Sequence, residues 1–475
     1  MSIDPEKTPK TDWLLDSAST LPPATLAKLC QLCDEGGAAA ARAALVALAH
    51  AAGLGGSTVM QCTALPATGG WHPSCGIIDP ATFRPNEDRP LILIVFYRAY
   101  LAAHDLHPIT ALHSALEQRG FDALSIFVPS LKPPEVRAQV DRWVRSLAPA
   151  AIVNATAFSA RGEDGGTPLD GAGVPVFQIA LATAPRAGWA STSRGLSPAD
   201  LAMHVVLPEI DGRIFVGVSS FKEAGERDPA LGFAPYSHRG DDNRIAAIAD
   251  RVARWIGLAR KPACERRVAL ILSTYPGKAY QMAHAVGLDA LASVDAIAAD
   301  LAAAGYEVGP PSDLARRLAA EHQVWPLNAY RTAMSALPET LRQDLASAWG
   351  EPEDDPLVVD GAFRFPALTL GQVLVALQPE RGEPISRDAD YHDLSRCPRH
   401  AYVAFYLWLG QQGTDALVHV GAHGTLEWLP GKAVALSDAC WPEALTQAMP
   451  VIYPFIVNDP GEAAQAKRRI GAVTI

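Results

Sequence analysis

Apolar runs alternate with amphipathic stretches along most of this chain, and the alternation predicts its elements. Leu91–Tyr97 (LILIVFY) is apolar at both odd and even positions, as expected of a strand buried on both faces. Pro108–Arg119 places Ile109, Leu112 and Leu116 on one helical face. DALSIFV (122–128) reads as a strand, Glu135–Leu147 as a helix, and AIVNA (151–155) and VPVFQIAL (174–181) as further strands. A helix over Asp242–Leu258 follows, with Ile245, Ile248, Val252, Trp255 and Ile256 at helical spacing. After the Lys261-Pro262 break, RRVALILS (266–273) starts a second unit, with a helix near Ser293–Ala304 and more helices through Trp349. Beyond the charged loop Glu351–Asp355 come the strand VLVAL (373–377), the helix Pro398–Leu409, the strand ALVHV (416–420) and a final helix before GAVTI.

Strands alternating with helices of this length predict an α/β fold of several domains, with parallel sheets flanked by helices and a helical segment between the α/β units. The expected division is an Ala-rich helical or irregular segment over 1–86, with a loop around GGWHPSCG, and an α/β domain over 87–260. A strand plus helical segment spans 261–368, and a further α/β domain spans 369–475. There is no internal repeat.

Composition narrows the function. With 475 residues, more than one domain is expected, and 49% hydrophobic residues suffice for large cores. A net charge of −11 argues against nucleic acid as a partner, because phosphate binding needs concentrated Lys and Arg. The polar start MSIDPEKTPKTDW lacks the apolar core of a signal peptide. The most apolar helical stretch, Gly36–Gly56, is interrupted by Arg42 and His50, so no membrane span and a cytoplasmic location are expected. Seven scattered Cys point to reduced thiols. Cys30 and Cys33 invite a zinc site with Cys62 and Cys75, but without a second close pair the simpler reading is the buried apolar face of a helix.

The densest chemistry lies in Asp415–Lys432, DALVHVGAHGTLEWLPGK. A strand ends near His419, glycines flank His423, and Thr425 is placed to cap the turn that carries Glu427. Loops after parallel strands face the ligand crevice of open sheets, so His419, His423 and Glu427 are the candidate acid–base and metal-contacting groups. The competing reading is a satisfied core histidine and a surface Glu. A second cluster comes after the strand VLVAL: Gln378 and Arg381 in QPERG, His392 in YHD, and His400 in CPRH. There Arg381 offers a fork for a substrate carboxylate, or else pairs locally with an acid. The third is VNDPGEAAQAKRR, where Asp459, Pro460 and Glu462 form a helix start. Lys467, Arg468 and Arg469 complement the far end of that helix, with anionic ligand groups as their alternative partners. No G-x-x-x-x-G-K-[ST] or G-x-S-x-G motif occurs, so any ATP would be hydrolysed elsewhere.

HGTLEWLPGKAVALSDACWPE and IYPFIVNDPGEAAQAKRR are similar to the signature region of the CobN family. Upstream, VFYRAYL, VPSLK, VNATAFS, RGLSPADLAM, LPEIDGRI, VGLDALAS and QPERG with YHD extend the resemblance over roughly residues 70–475 in family order. The magnesium-chelatase large subunit shares the HGT-x-EWLPG motif but resembles the stretch PGKAVALSDACWPE much less. The resemblance implies the large, tetrapyrrole-binding subunit of an ATP-dependent cobaltochelatase, with Co²⁺ as the metal and hydrogenobyrinic acid a,c-diamide as the ring. It further implies AAA+ ATPase partners of the CobS/CobT or ChlI/ChlD kind, which use ATP and Mg²⁺ that this chain does not bind. The alternatives are a magnesium-chelatase subunit acting on protoporphyrin IX, and a non-catalytic tetrapyrrole- or metal-binding fragment. The family continues well past GAVTI, so the chain is expected to stop inside the family's length and to be inactive alone.

Overall fold

The computed structural model describes residues 21–55, 64–273, 284–285, 288–310, 313–382, 393–421, 424–454 and 460–475. The Ala-rich start forms two paired helices, α1 (Pro23–Glu35) and α2 (Gly37–Ala51), packed through Leu32, Ala40 and Ala43. Cys30 and Cys33 are exposed, because Leu32 takes the inward position between them; Cys75 is exposed too, and Cys62 lies outside the described residues. No helix among the described residues is long and apolar enough to cross a membrane.

The first sheet is built on β3 (Leu91–Tyr97), β4 (Asp122–Val128), β5 (Ala151–Asn154), β6 (Val176–Ala182) and β7 (Ile214–Ala224), all parallel. Its antiparallel edges are the hairpin β1 (Gly69–His72) and β2 (Gly76–Ile78) on one side and β8 (Tyr236–Gly240) on the other. GGWHPSCG is therefore two strands and a turn rather than a loop. It lies inside the 1–86 segment yet belongs to this sheet, since Gly69 and Gly70 fit closely against Phe127 and Ile78. Helices α3 (His107–Glu117) and α5 (Asp242–Arg260) cover one face and α4 (Pro134–Leu147) the other, each burying the apolar stripe that its sequence shows.

The second sheet runs in the order β10-β12-β13-β9-β14-β15-β16. The strands are β9 (Val268–Leu272), β10 (His322–Pro326), β12 (Ala362–Leu370), β13 (Val373–Leu377), β14 (Ala416–Val420), β15 (Val451–Tyr453) and β16 (Val473–Thr474); β11 (Val358–Val359) pairs with β12 off this path. From β13 to β16 all pairings are parallel. β9 is central, so residues 261–368 and 369–475, which the sequence pattern separates, share one sheet, and β12 itself crosses that boundary. The sequence conceals this because the helical segment intervenes between strands that are neighbours in space.

Alternate residues of these strands face opposite helical layers. Val268, Leu270, Leu272 and Val420 pack on α6 (Ala290–Ala303). Ala269, Ile271 and Leu417 pack on α7 (His400–Gln411), α8 (Trp441–Thr446) and α9 (Pro460–Ile470). From β9 the chain moves to one side of the sheet, and from β14 to the other. That reversal makes the carboxyl ends of β9 and β14 the topological switch point, the usual ligand position in open α/β sheets.

Candidate functional site

Residues around this edge converge on one buried cluster. His419 is the last residue but one of β14 and faces the α7 side, where its ring stacks on Tyr453 (centroids 5.1 Å apart, planes 8° apart) and lies 6.3 Å from Tyr406. Tyr453 ends β15 and donates its hydroxyl to Glu427 Oε2 at 2.7 Å. Tyr402 and Tyr406, one turn apart on α7, share Gln378 Nε2 at 2.7 and 3.1 Å, and Tyr402 Oη lies 2.6 Å from Thr425 Oγ1. His419, Glu427, Gln378 and the three tyrosines are all buried.

The glycine before Thr425 has a steric reason. A Cβ on Gly424 would stand 2.1 Å from the Tyr453 hydroxyl, so only glycine lets that hydroxyl reach Glu427. Thr425 stands at the cap position of the turn Leu426–Trp428, but its hydroxyl caps nothing: it is engaged with Tyr402 and Gln378 instead. Tyr402, Tyr406 and Tyr453 are not among the sequence candidates. The signal for Tyr402 and Tyr406 is hydroxyls at i and i+4 in an otherwise apolar helix, since a buried tyrosine hydroxyl needs a polar partner.

Burial decides the protonation of the imidazole. His419 has no hydrogen-bond partner at either nitrogen among the described residues, and desolvation pushes its pKa down to about 3. It is neutral at pH 7, a state suited to contacting a metal and poorly suited to accepting a proton. Burial, and then the Glu427 carboxylate, drive the Tyr453 hydroxyl well above its ordinary range, so it remains a donor. Below pH ~6.5 the unfolded chain protonates this histidine and the folded chain does not, so stability falls as pH drops from about 6.5 towards about 3. His419→Asn is expected to lessen that slope by about 1.4 kcal/mol per pH unit. Denaturation midpoints at several pH values between these limits measure it, and an unchanged slope would show that His419 is not the group responsible.

The other sequence candidates are distributed differently. Arg381 is buried and donates to the carbonyls of Asp393 and Arg396 (3.1 Å to the latter), so it shapes the 393–396 stretch rather than presenting a free fork. His400 lies roughly 200° round α7 from Tyr402. It is held between Tyr330 Oη (2.8 Å) and the Gly350 carbonyl (3.1 Å), away from the cluster. Lys467 and Arg468 reach Glu209 of the first unit at 3.4 and 2.8 Å. Arg469 is buried and donates to the carbonyls of Glu427, Leu429 and Lys432. These four cations and this imidazole have protein partners because each sits where backbone carbonyls or a carboxylate are otherwise enclosed. His423, His392 and the cap residue Asp459 lie outside the described residues.

The site loop is fastened to the first unit. Lys432 Nζ donates to the carbonyls of Trp189, Ala190 and Thr192 at 2.6, 3.1 and 2.7 Å, and Trp189 Nε1 donates to Ala435 O at 2.8 Å. Gly195, at φ +85°, leaves room for Val434 O, which would lie 2.1 Å from a Cβ there. A cleft of about 850 Å³ opens beside this seam, within the size range of ligand sites. Its lining includes Trp189 and Arg194, Asp393 of YHD in the second sequence cluster with the nearby Ser395, and Gly431 of the first cluster with Ala433 just beyond it.

An open parallel sheet whose carboxyl edge gathers a carboxylate, an imidazole and tyrosines, with a ligand-sized cleft alongside, belongs to the class of α/β ligand-binding proteins. Within that class, residues 30–475 match the model of the CobN/Magnesium Chelatase family, and the chain belongs to it. It is 39% identical to the aerobic cobaltochelatase subunit CobN of Sinorhizobium sp over 434 residues, covering 85% of this chain and 34% of that protein. It is 41% identical to the aerobic cobaltochelatase subunit CobN of Pseudomonas aeruginosa over 407 residues, covering 82% of this chain and 32% of that protein. Relatives named as magnesium-chelatase H subunits stand at 25–29% identity. The catalytic subunit of cobaltochelatase from Mycobacterium tuberculosis superposes with a TM-score of 0.78 at 30% identity, covering 96% of this chain and 40% of that one. The chain thus spans about a third of the length of the curated relatives it matches.

Proposed function

We propose that this chain forms part of the large, tetrapyrrole-binding subunit of an ATP-dependent cobaltochelatase that inserts Co²⁺ into hydrogenobyrinic acid a,c-diamide. The observation that carries the reading is the Glu427–Tyr453–His419 cluster at the carboxyl edge of a chain similar to CobN proteins over most of its length. Metal insertion expels two inner-ring N–H protons and requires the ion to shed water, so it needs a proton acceptor and neutral ligands close to the ring. Glu427, oriented by Tyr453, is the acceptor in this proposal; His419 and His423 supply imidazoles to the incoming metal. The ring occupies the cleft between the seam and the 393–396 stretch, with the exposed Arg194 available to a ring carboxylate.

Two measurements test this reading. Quenching of tryptophan fluorescence by the two rings compares their binding, and the corrin is expected to bind more tightly than protoporphyrin IX. The reverse preference would favour the magnesium-chelatase reading. With no phosphate-binding loop of the G-x-x-x-x-G-K-[ST] kind in its sequence, the isolated chain is expected to hydrolyse no ATP, energy coming from AAA+ partner subunits. Hydrolysis that co-purifies with the chain to constant specific activity would contradict that division of labour.

A further inference from the structure

At the first sheet, separate from the sheet that carries His419, the edge hairpin and α3 bring together three groups of the kind that hold a transition metal. His72 ends β1; His113 and Glu117 stand one turn apart on α3, on the face turned towards it. Glu117 Oε1 lies 3.8 Å from His72 Nε2 and 3.7 Å from His113 Nδ1, and all three ligand atoms fall within 4.8 Å of one another. Among the described residues this is the one such group of three.

The side chains are prepared differently. The His113 side chain is fully buried, yet neither ring nitrogen has a hydrogen-bond partner among the described residues. Its ring is fixed edge-on against Trp71 and His72, with centroids 6.3 and 4.9 Å away. Packing alone leaves such a nitrogen desolvated without compensation, at a cost that folded proteins seldom carry. Ser74 holds His72 Nδ1 from two sides, its backbone N–H donating at 3.2 Å and its hydroxyl lying 2.7 Å away, which fixes the ring with Nε2 turned towards Glu117. Glu117 is 42% exposed and opens the group to solvent.

We propose that His72, His113 and Glu117 form a binding site for a divalent first-row transition-metal ion, held by two imidazoles and one carboxylate with a fourth position open to water. Bonds of about 2.1 Å in tetrahedral geometry set ligand atoms about 3.4 Å apart, so each observed separation from Glu117 needs only a few tenths of an ångström of contraction. Imidazole with carboxylate suits zinc and its neighbours in the series, not Mg²⁺ or Ca²⁺. The ion ties the edge hairpin to α3, and neither the site nor its occupant takes part in the chemistry at Glu427.

Co²⁺ and Zn²⁺ alone serve as probes on the whole chain. Co²⁺ is expected to give the visible d–d bands of a four-coordinate nitrogen–oxygen site, without thiolate charge-transfer absorption, and Zn²⁺ is expected to abolish them. Glu117→Gln and His72→Gln, both at positions reached by solvent, are each expected to weaken binding by about 100-fold or more, with unchanged far-ultraviolet circular dichroism. Glu427→Gln is expected to keep the bands, which separates this site from the sheet-edge cluster. Bands and affinity unaltered in both Glu117→Gln and His72→Gln, bands lost in Glu427→Gln, or no four-coordinate spectrum from the unaltered chain, would each overturn the proposal.

Discussion

Exchanging Glu427 for Gln is expected to slow cobalt insertion by about 100- to 10,000-fold, the usual contribution of a positioned proton acceptor. The assay supplies the ATPase subunits, the rest of a family large subunit, Co²⁺ and the corrin, and follows absorbance. The substitution is chosen because it separates chemistry from architecture. The Gln side-chain carbonyl can still accept from the Tyr453 hydroxyl, now 2.7 Å from the carboxylate, and the volume is unchanged. Only the carboxylate's capacity to take up a proton is lost. Gly424→Ala is a second route to the same result. Its Cβ, 2.1 Å from that hydroxyl, forces Tyr453 away and disorients the carboxylate without altering either group. A Glu427→Gln protein that inserts cobalt at the unaltered rate would remove this residue from the reaction.

Arg469→Met is expected to destabilise the chain by about 3–5 kcal/mol, among the larger effects of a single substitution here. The guanidinium is buried and satisfies three carbonyls of one loop, those of Glu427, Leu429 and Lys432. Burial lowers its pKa to about 10, so it is charged at pH 7. Methionine fills the space but leaves those acceptors enclosed without this donor. Its neighbours in the same Lys-Arg-Arg run provide the contrast. Lys467 and Arg468 pair with Glu209 while each remaining 31% exposed, and their replacement by Ala is expected to cost less than about 1 kcal/mol each. Denaturant midpoints of the three variants settle the order. A loss at Arg469 no larger than at Arg468 would show that the carbonyl cage contributes little.

The same run shows what one sequence can and cannot reveal. A basic last turn on a helix after Pro460 is legible, because dipole complementarity is local. Which of three adjacent cations turns inward depends on strands and loops far away in the chain, and no local pattern encodes it. Arg381 and His400 illustrate the same limit: their residue types suggest ligand contacts, while the structure gives them backbone carbonyls and a tyrosine hydroxyl.

By itself, the sequence determined the element order and the mainly parallel α/β class, because strands buried on both faces and amphipathic helices are written in hydrophobic period. It also determined the family, through a long and ordered set of motifs, and it placed His419 and Glu427 near a strand end. Tertiary structure alone decided that β9 (Val268–Leu272) lies at the centre of a sheet whose other strands are spread from His322 to Thr474, and that the GGWHPSCG stretch is a sheet edge. It also decided that Tyr453 joins His419 to Glu427, that Lys432 fastens the site loop to the first unit, and that His72 meets His113 and Glu117. Periodicity reports which face of an element is buried, whereas these contacts depend on which elements meet across that face, and that is set by packing the whole chain at once.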